Sequence, residues 1–150
     1  MGLFGGNKNS FKGKKSLVIY FSRADLFKVE GVEGYSADYM TCIEEAKVRK
    51  QNDERPELKE YLEDISEYEV IYIGAPVYWG TMPQEMLTQL ERLDFTGKTV
   101  RVFVTHEGSG TAAIPQQVKK VCQGADVIDD AIAIRGADCK NAKSKIENWI

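Results

Sequence analysis

Apolar positions fall along this chain in two recurring patterns, short near-continuous runs and stripes repeating every three to four residues. Leu17, Val18, Ile19, Tyr20 and Phe21 form an unbroken run within residues 16–22, rich in β-branched and aromatic side chains, which predicts a strand buried on both faces. Residues 26–30 predict a second, weaker strand, with Gly31 and Gly34 as loop punctuation. The spacing of Tyr39, Ile43, Ala46 and Val48 predicts a helix over 37–51. Pro56 opens another over 56–65, with Leu58, Tyr61, Leu62 and Ile65 as its apolar stripe. Residues 70–75 are the most strand-like run of all, followed by a loop and a helix that starts at Pro83 and carries Met86, Leu87, Leu90 and Leu93. A strand over 99–104, a loop over 105–110, a helix over 114–122, a strand over 126–134 and a closing helix over 139–150, with Ile146 and Trp149 inward, complete the pattern.

Strands alternating with helical segments imply parallel βαβ units in a three-layer α/β sandwich. Ligands of such sheets bind beyond the carboxyl ends of the strands, so the loops after Ser22, Ala75 and Val104 are where chemistry is expected. Composition adds exclusions. At 150 residues the chain is one domain, read as a loose leader over 1–15 and a folded unit over 16–150. A formal charge of −3 argues against nucleic acid as a partner. No apolar stretch approaches the roughly 20 residues that cross a bilayer, so no membrane partner is expected. Cys42, Cys122 and Cys139 are odd in number and form no C-x-x-C pair, which fits a reducing, cytoplasmic setting better than a disulfide framework or a zinc site.

Two loops carry candidate chemistry. Pro76, Val77, Tyr78, Trp79 and Gly80 place two large aromatics at the end of a buried strand, a platform for a flat aromatic ligand with glycine beside it for close backbone approach. The bland alternative is that both rings simply pack against a neighbouring helix. In the second loop, Thr105, His106, Glu107 and Gly108 lead into Ser109 and Gly110, whose backbone and hydroxyl groups can edge a ligand. His106 is the only histidine, and with no nucleophile elbow to serve, a loop-contact role is favoured over that of a general base. Residues 108–113 also satisfy G-x-G-x-x-A, a weak dinucleotide fingerprint at an unusual place, since strands precede it.

These motifs, with Leu17 to Arg23, Gly74 to Pro83, Thr105 to Gly110, Ala133 to Gly136 and Ile146 to Trp149, resemble flavodoxins, especially the branch with W-G-T-M-P and T-H-E-G-S-G loops. The resemblance implies an α/β flavodoxin-like three-layer sandwich with a five-stranded parallel sheet of order 2-1-3-4-5 that binds FMN non-covalently. By the same resemblance Tyr78 or Trp79 stacks on the isoalloxazine, residues 76–80 and 105–108 edge it, and Ser22 with Arg23 begins the phosphate site. The implied function is electron transfer with a redox partner protein or a small-molecule acceptor, a carrier more than an enzyme. The alternatives are a flavodoxin scaffold that binds or assembles without FMN, a small FMN-dependent NAD(P)H:quinone-type oxidoreductase, and nicotinamide-dinucleotide binding through residues 108–113.

The resemblance has a hole. Family members follow the first strand with a phosphate loop and a full crossover helix, whereas here Ser22, Arg23, Ala24 and Asp25 run directly into Leu26. A parallel pair needs a crossover of a dozen or more residues, and neither Arg23-Ala24 nor Ala24-Asp25 is a favoured hairpin turn. The first helix is therefore expected to be absent or remodelled, as a missing segment, an exchange with a second copy, or a merged edge; truncation of a flavodoxin-like ancestor is the preferred account. Lost phosphate contacts would weaken FMN binding, and the sheet surface left uncovered would favour a homodimer.

Overall fold

The computed structural model describes residues 25–150. The run at 16–22, and with it Ser22 and Arg23, lies outside the described residues. From residue 25 onward the elements are helix α1 (Tyr39–Gln51), strand β1 (Val70–Pro76), helix α2 (Gln84–Leu90), strand β2 (Thr99–His106), helix α3 (Ile114–Val121), the short strands β3 (Asp126–Val127) and β4 (Ile132–Arg135), a 3-10 turn over Gly136–Asn141, and helix α4 (Lys143–Trp149).

Among the described residues the sheet is parallel throughout. β1 pairs with β2 from Val70–Thr99 to Pro76–Thr105, and β2 pairs on its other side with β3 at its start and β4 at its end. The expected single strand over 126–134 is thus broken in two along one edge of β2. The break carries Asp130, which accepts a hydrogen bond from Arg101 through its carboxylate and one from the Trp149 indole through its carbonyl (2.7 Å). Of the five strands expected, those after residue 69 are present. The one expected over 26–30 is not; among the described residues the nearest pairing is an isolated antiparallel bridge just beyond it, Gly31 to Leu58.

Alternation along the strands builds two cores. Val100, Val102 and Val104 are fully buried and meet Ile73, Ala75, Leu87, Leu90, Ile114, Val118 and Cys122, so α2 and α3 cover one face. On the other face Ile134 packs with Ala142 and Ile146, while Trp149 lies edge-on to Tyr72 (5.7 Å) and Phe103 (6.5 Å). Helices on both faces make the three layers.

Residues 56–65 are not a helix. Leu58 and Ile65 are buried as the stripe predicts, but by an irregular segment, bent at Lys59 and Glu60, whose polar groups find other partners. The buried amide of Gln89 in α2 accepts from Leu62 N–H (3.0 Å) and donates to its carbonyl (2.8 Å), and the Tyr61 hydroxyl accepts from Leu58 N–H. In α1 the expected stripe is only partly inward. Ala46 is buried, whereas Tyr39 and Val48 are exposed.

Candidate functional site

We call the carboxyl end of the sheet its head and the opposite end its foot. The head brings the two candidate loops side by side. Val77 N–H donates to the Thr105 carbonyl (3.0 Å), continuing the β1–β2 ladder, and Ala113 N–H donates to the Gly80 carbonyl (3.0 Å), tying the first loop to the start of α3.

The first loop is a two-residue reversal. Tyr78 and Thr81 exchange N–H to carbonyl hydrogen bonds (2.7 and 3.1 Å), and the central residues Trp79 and Gly80 both have positive φ, 52° and 79°. These are the signs of a type I′ turn, which favours Asn or Gly at both centres. A tryptophan in the left-handed region costs about 1–3 kcal/mol, and such strain recurs at functional sites. The surroundings hold Trp79 in place. Its indole N–H donates to the Ile43 carbonyl of α1 (2.8 Å), its carbonyl accepts from Lys50 (2.7 Å), and the Lys47 ammonium stands 5.3 Å from its ring centre. Trp79 as a whole residue still keeps 45% of its surface exposed.

Tyr78 is placed differently. Its ring meets Tyr35 edge-on at 5.4 Å, and burial pushes its phenol up from the ordinary tyrosine range. Behind it stands a cluster that sequence reading missed. The Tyr35 hydroxyl donates to Glu85 (3.1 Å), the Arg49 guanidinium pairs with the same carboxylate and lies 4.4 Å over the Tyr35 ring, and Arg49 also donates to the Glu33 carbonyl. Burial first, and then the Glu85 charge, push the Tyr35 phenol well above its ordinary range. Tyr35, Arg49 and Glu85 lie on three separate segments, so no local pattern announces them.

In the second loop His106 Nδ1 accepts from Gly110 N–H (3.2 Å), which closes the loop and leaves the proton of a neutral ring on Nε2. Glu107, Gly108 and Ser109 are exposed. A side chain added at Gly80 or Gly108 would meet no atom within 4 Å, and neither amide donates to a described protein group. Pro76, Val77, Tyr78, Trp79, Gly80, Thr105, His106, Glu107 and Gly108 are therefore gathered at one end of the sheet, while Ser22 and Arg23 lie outside the described residues. Among the described residues no cluster of His, Cys, Asp or Glu could hold a metal ion, and no helix is long and apolar enough to cross a membrane.

The sequence profile of the flavodoxins matches residues 12–150. The chain belongs to the flavodoxin family. The fold agrees with solved structures. A candidate flavoprotein from Bacteroides uniformis is 27% identical, with a TM-score of 0.66 over 79% of this chain and 78% of that one. Another from Bacteroides eggerthii is 23% identical, with a TM-score of 0.63 over 82% and 81%. A flavoprotein from Lactobacillus acidophilus, solved in complex with FMN, is 24% identical, with a TM-score of 0.56 over 80% and 76%. Comparison with curated proteins gives no match. As a flavodoxin, the chain has its two head loops at the carboxyl ends of adjacent parallel strands, β1 and β2, where α/β sheets of this kind hold their ligands.

Proposed function

We propose that this flavodoxin binds FMN at the head of the sheet and carries electrons. The observation that supports the reading best is the pairing of a strained, half-exposed Trp79 with two open glycine edges on hydrogen-bonded loops. Trp79 offers a ring face for stacking. Gly80 and Gly108 leave room for a planar edge and present amides to its carbonyls and ring nitrogens. Bound FMN would supply the one- and two-electron chemistry, and the chain would position the ring and set the charge around it. Glu107, exposed beside that edge, adds negative charge that disfavours an anionic reduced state. His106 Nδ1 is taken up in closing its loop, so the ring offers only Nε2 to a ligand.

Titrating the purified protein with FMN is the test. Quenched flavin fluorescence and a shifted visible band are expected; a flat response at high micromolar protein overturns the reading. Trp79→Asn keeps a residue that accepts the left-handed backbone while removing the ring, and is expected to weaken FMN roughly tenfold, for a loss of about 1.4 kcal/mol of stacking.

A second reading, a scaffold without flavin, draws on Trp79 and Tyr78 already having protein partners in Ile43 and Tyr35. It predicts the flat response.

A further inference from the structure

Trp79 is backed by positive charge. Ile43, Lys47 and Lys50 stand four and three residues apart in α1, so they share one face of that helix, and the face is turned toward the indole. The Ile43 carbonyl accepts the indole N–H (2.8 Å), the Lys50 ammonium donates to the Trp79 carbonyl (2.7 Å), and the Lys47 ammonium stands over the ring, 5.3 Å from its centre. The helix is held in this attitude from another side by Arg49, which is nearly buried where it pairs with Glu85. Lys47 therefore cannot be carried away from the loop without breaking that pair.

The arrangement bears on the energy of a ring stacked there. With Lys47 over one face of the indole, a flavin stacking on Trp79 takes the other face, and the indole lies between the ammonium and the flavin. A cation over an indole is attracted by its π electrons and draws on them. Reduction of FMN by two electrons with uptake of one proton leaves the ring system with one more negative charge, so a positive charge behind the indole favours the reduced state over the oxidised one. Any attraction of Lys47 for the FMN phosphate is common to both oxidation states and cancels from the potential.

We propose that Lys47 is a tuning residue of the flavin site, which raises the potential of bound FMN by acting across Trp79. The proposal rests on the reading that FMN stacks on Trp79, and it gives α1 an influence opposite to that of Glu107, whose charge disfavours the same reduced state. Glu44, 3.6 Å from Lys47 and one turn before it, moderates the effect. Lys50 adds charge on the same side, but it also holds the carbonyl of a strained residue, so Lys47 and Glu44 are the cleaner positions to change.

The test is a dithionite titration of the FMN-loaded protein beside a dye of known potential. Across a separation on the order of 10 Å, a partly exposed unit charge changes the preference for the reduced state roughly threefold, or about 14 mV for two electrons. Lys47→Met is expected to lower the midpoint by about that much and Lys47→Glu by about twice as much, while Glu44→Gln raises it by a smaller amount. All three shifts are expected to shrink in ~0.5 M salt, because both side chains are partly exposed. A residue that merely held the loop in place would not give shifts graded and signed by charge. Midpoints that match the parent's, or that move the same way in all three variants, overturn the proposal. The apoprotein gives a second readout. Without the ammonium beside the indole, Lys47→Met is expected to show tryptophan fluorescence less quenched by iodide and more by caesium than the parent, and an unchanged ratio also overturns the proposal. The two failures are distinguishable: a flat FMN titration overturns flavin binding and this proposal together, whereas bound flavin with midpoints blind to charge overturns the proposal alone.

Discussion

Gly74 is the residue on which one face of the sheet depends. A Cβ built there would stand 1.9 Å from the Phe103 ring, because that ring lies directly across β1 from its place on β2. Phe103 also meets Trp149 of α4, so the ring is held from both sides. Gly74→Ala must push it aside, and overpacking of this kind costs about 1–3 kcal/mol. The expected result is a lower urea midpoint with an unchanged slope, and a much smaller drop when Gly74→Ala is made in a Phe103→Ala background, where no ring stands in the way. A Gly74→Ala variant that unfolds with the parent would show that the ring does not lie there. Nothing in the sequence announced this contact, since Gly74 reads only as the penultimate residue of an apolar run. The place of Trp79 in a loop beyond a strand end was legible, but its left-handed backbone was not, because tryptophan is a rare occupant of that region.

At the scale of elements, the sequence announced those whose apolar period is strong and whose partners are near in the chain. β1, β2 and α3 sit where the sequence places a strand over 70–75, a strand over 99–104 and a helix over 114–122. The segment over 56–65 failed because the same apolar spacing is satisfied by an irregular path once Gln89 offers a peptide-like partner for Leu62, a contact 27 residues distant in sequence. The docking of α1 was equally hidden, for it depends on Arg49 and Glu85, both nearly buried at 12% and 8% exposed. Removing one member of such a pair strands the other charge, at about 3 kcal/mol, whereas replacing both with apolar groups can be nearly neutral. Arg49→Met is therefore expected to lower stability by about that amount, and Arg49→Met with Glu85→Leu to recover most of it. Urea unfolding of the two variants and of Glu85→Leu alone completes the cycle. Additive losses would mean that the pair contributes nothing to holding α1 against the head.

For the whole molecule, the ionisable groups define a stability window with two limbs of different origin. On the acid side, hydrogen bonds from Lys59 and then Lys28 hold Glu30 down at about 2, and Asp38 is lowered by the Thr41 amide and hydroxyl that it caps. A depressed carboxylate contributes stability above its unfolded value, near 4.5 for Glu30, and loses it as pH falls toward 2. These groups lie at the surface, so that limb is shallow and flattens further in salt. On the alkaline side the cause is burial. Cys122, packed in the core at the C-terminal end of α3, has its thiol pushed from 9.0 up to about 12, and Tyr35 and Tyr78 are shifted upward as well. A raised group contributes its full stability below the unfolded value and loses it as pH climbs toward the folded one. For the Cys122 thiol that loss begins near the ordinary thiol value of 9.0 and grows as pH climbs toward about 12. Urea midpoints measured from pH 7 to 11 are expected to hold to about pH 9 and then fall steeply in the parent. In Cys122→Ala, which starts lower through lost packing, the fall should be distinctly gentler. Parallel alkaline limbs would assign that loss to the tyrosines at the head rather than to the thiol in the core.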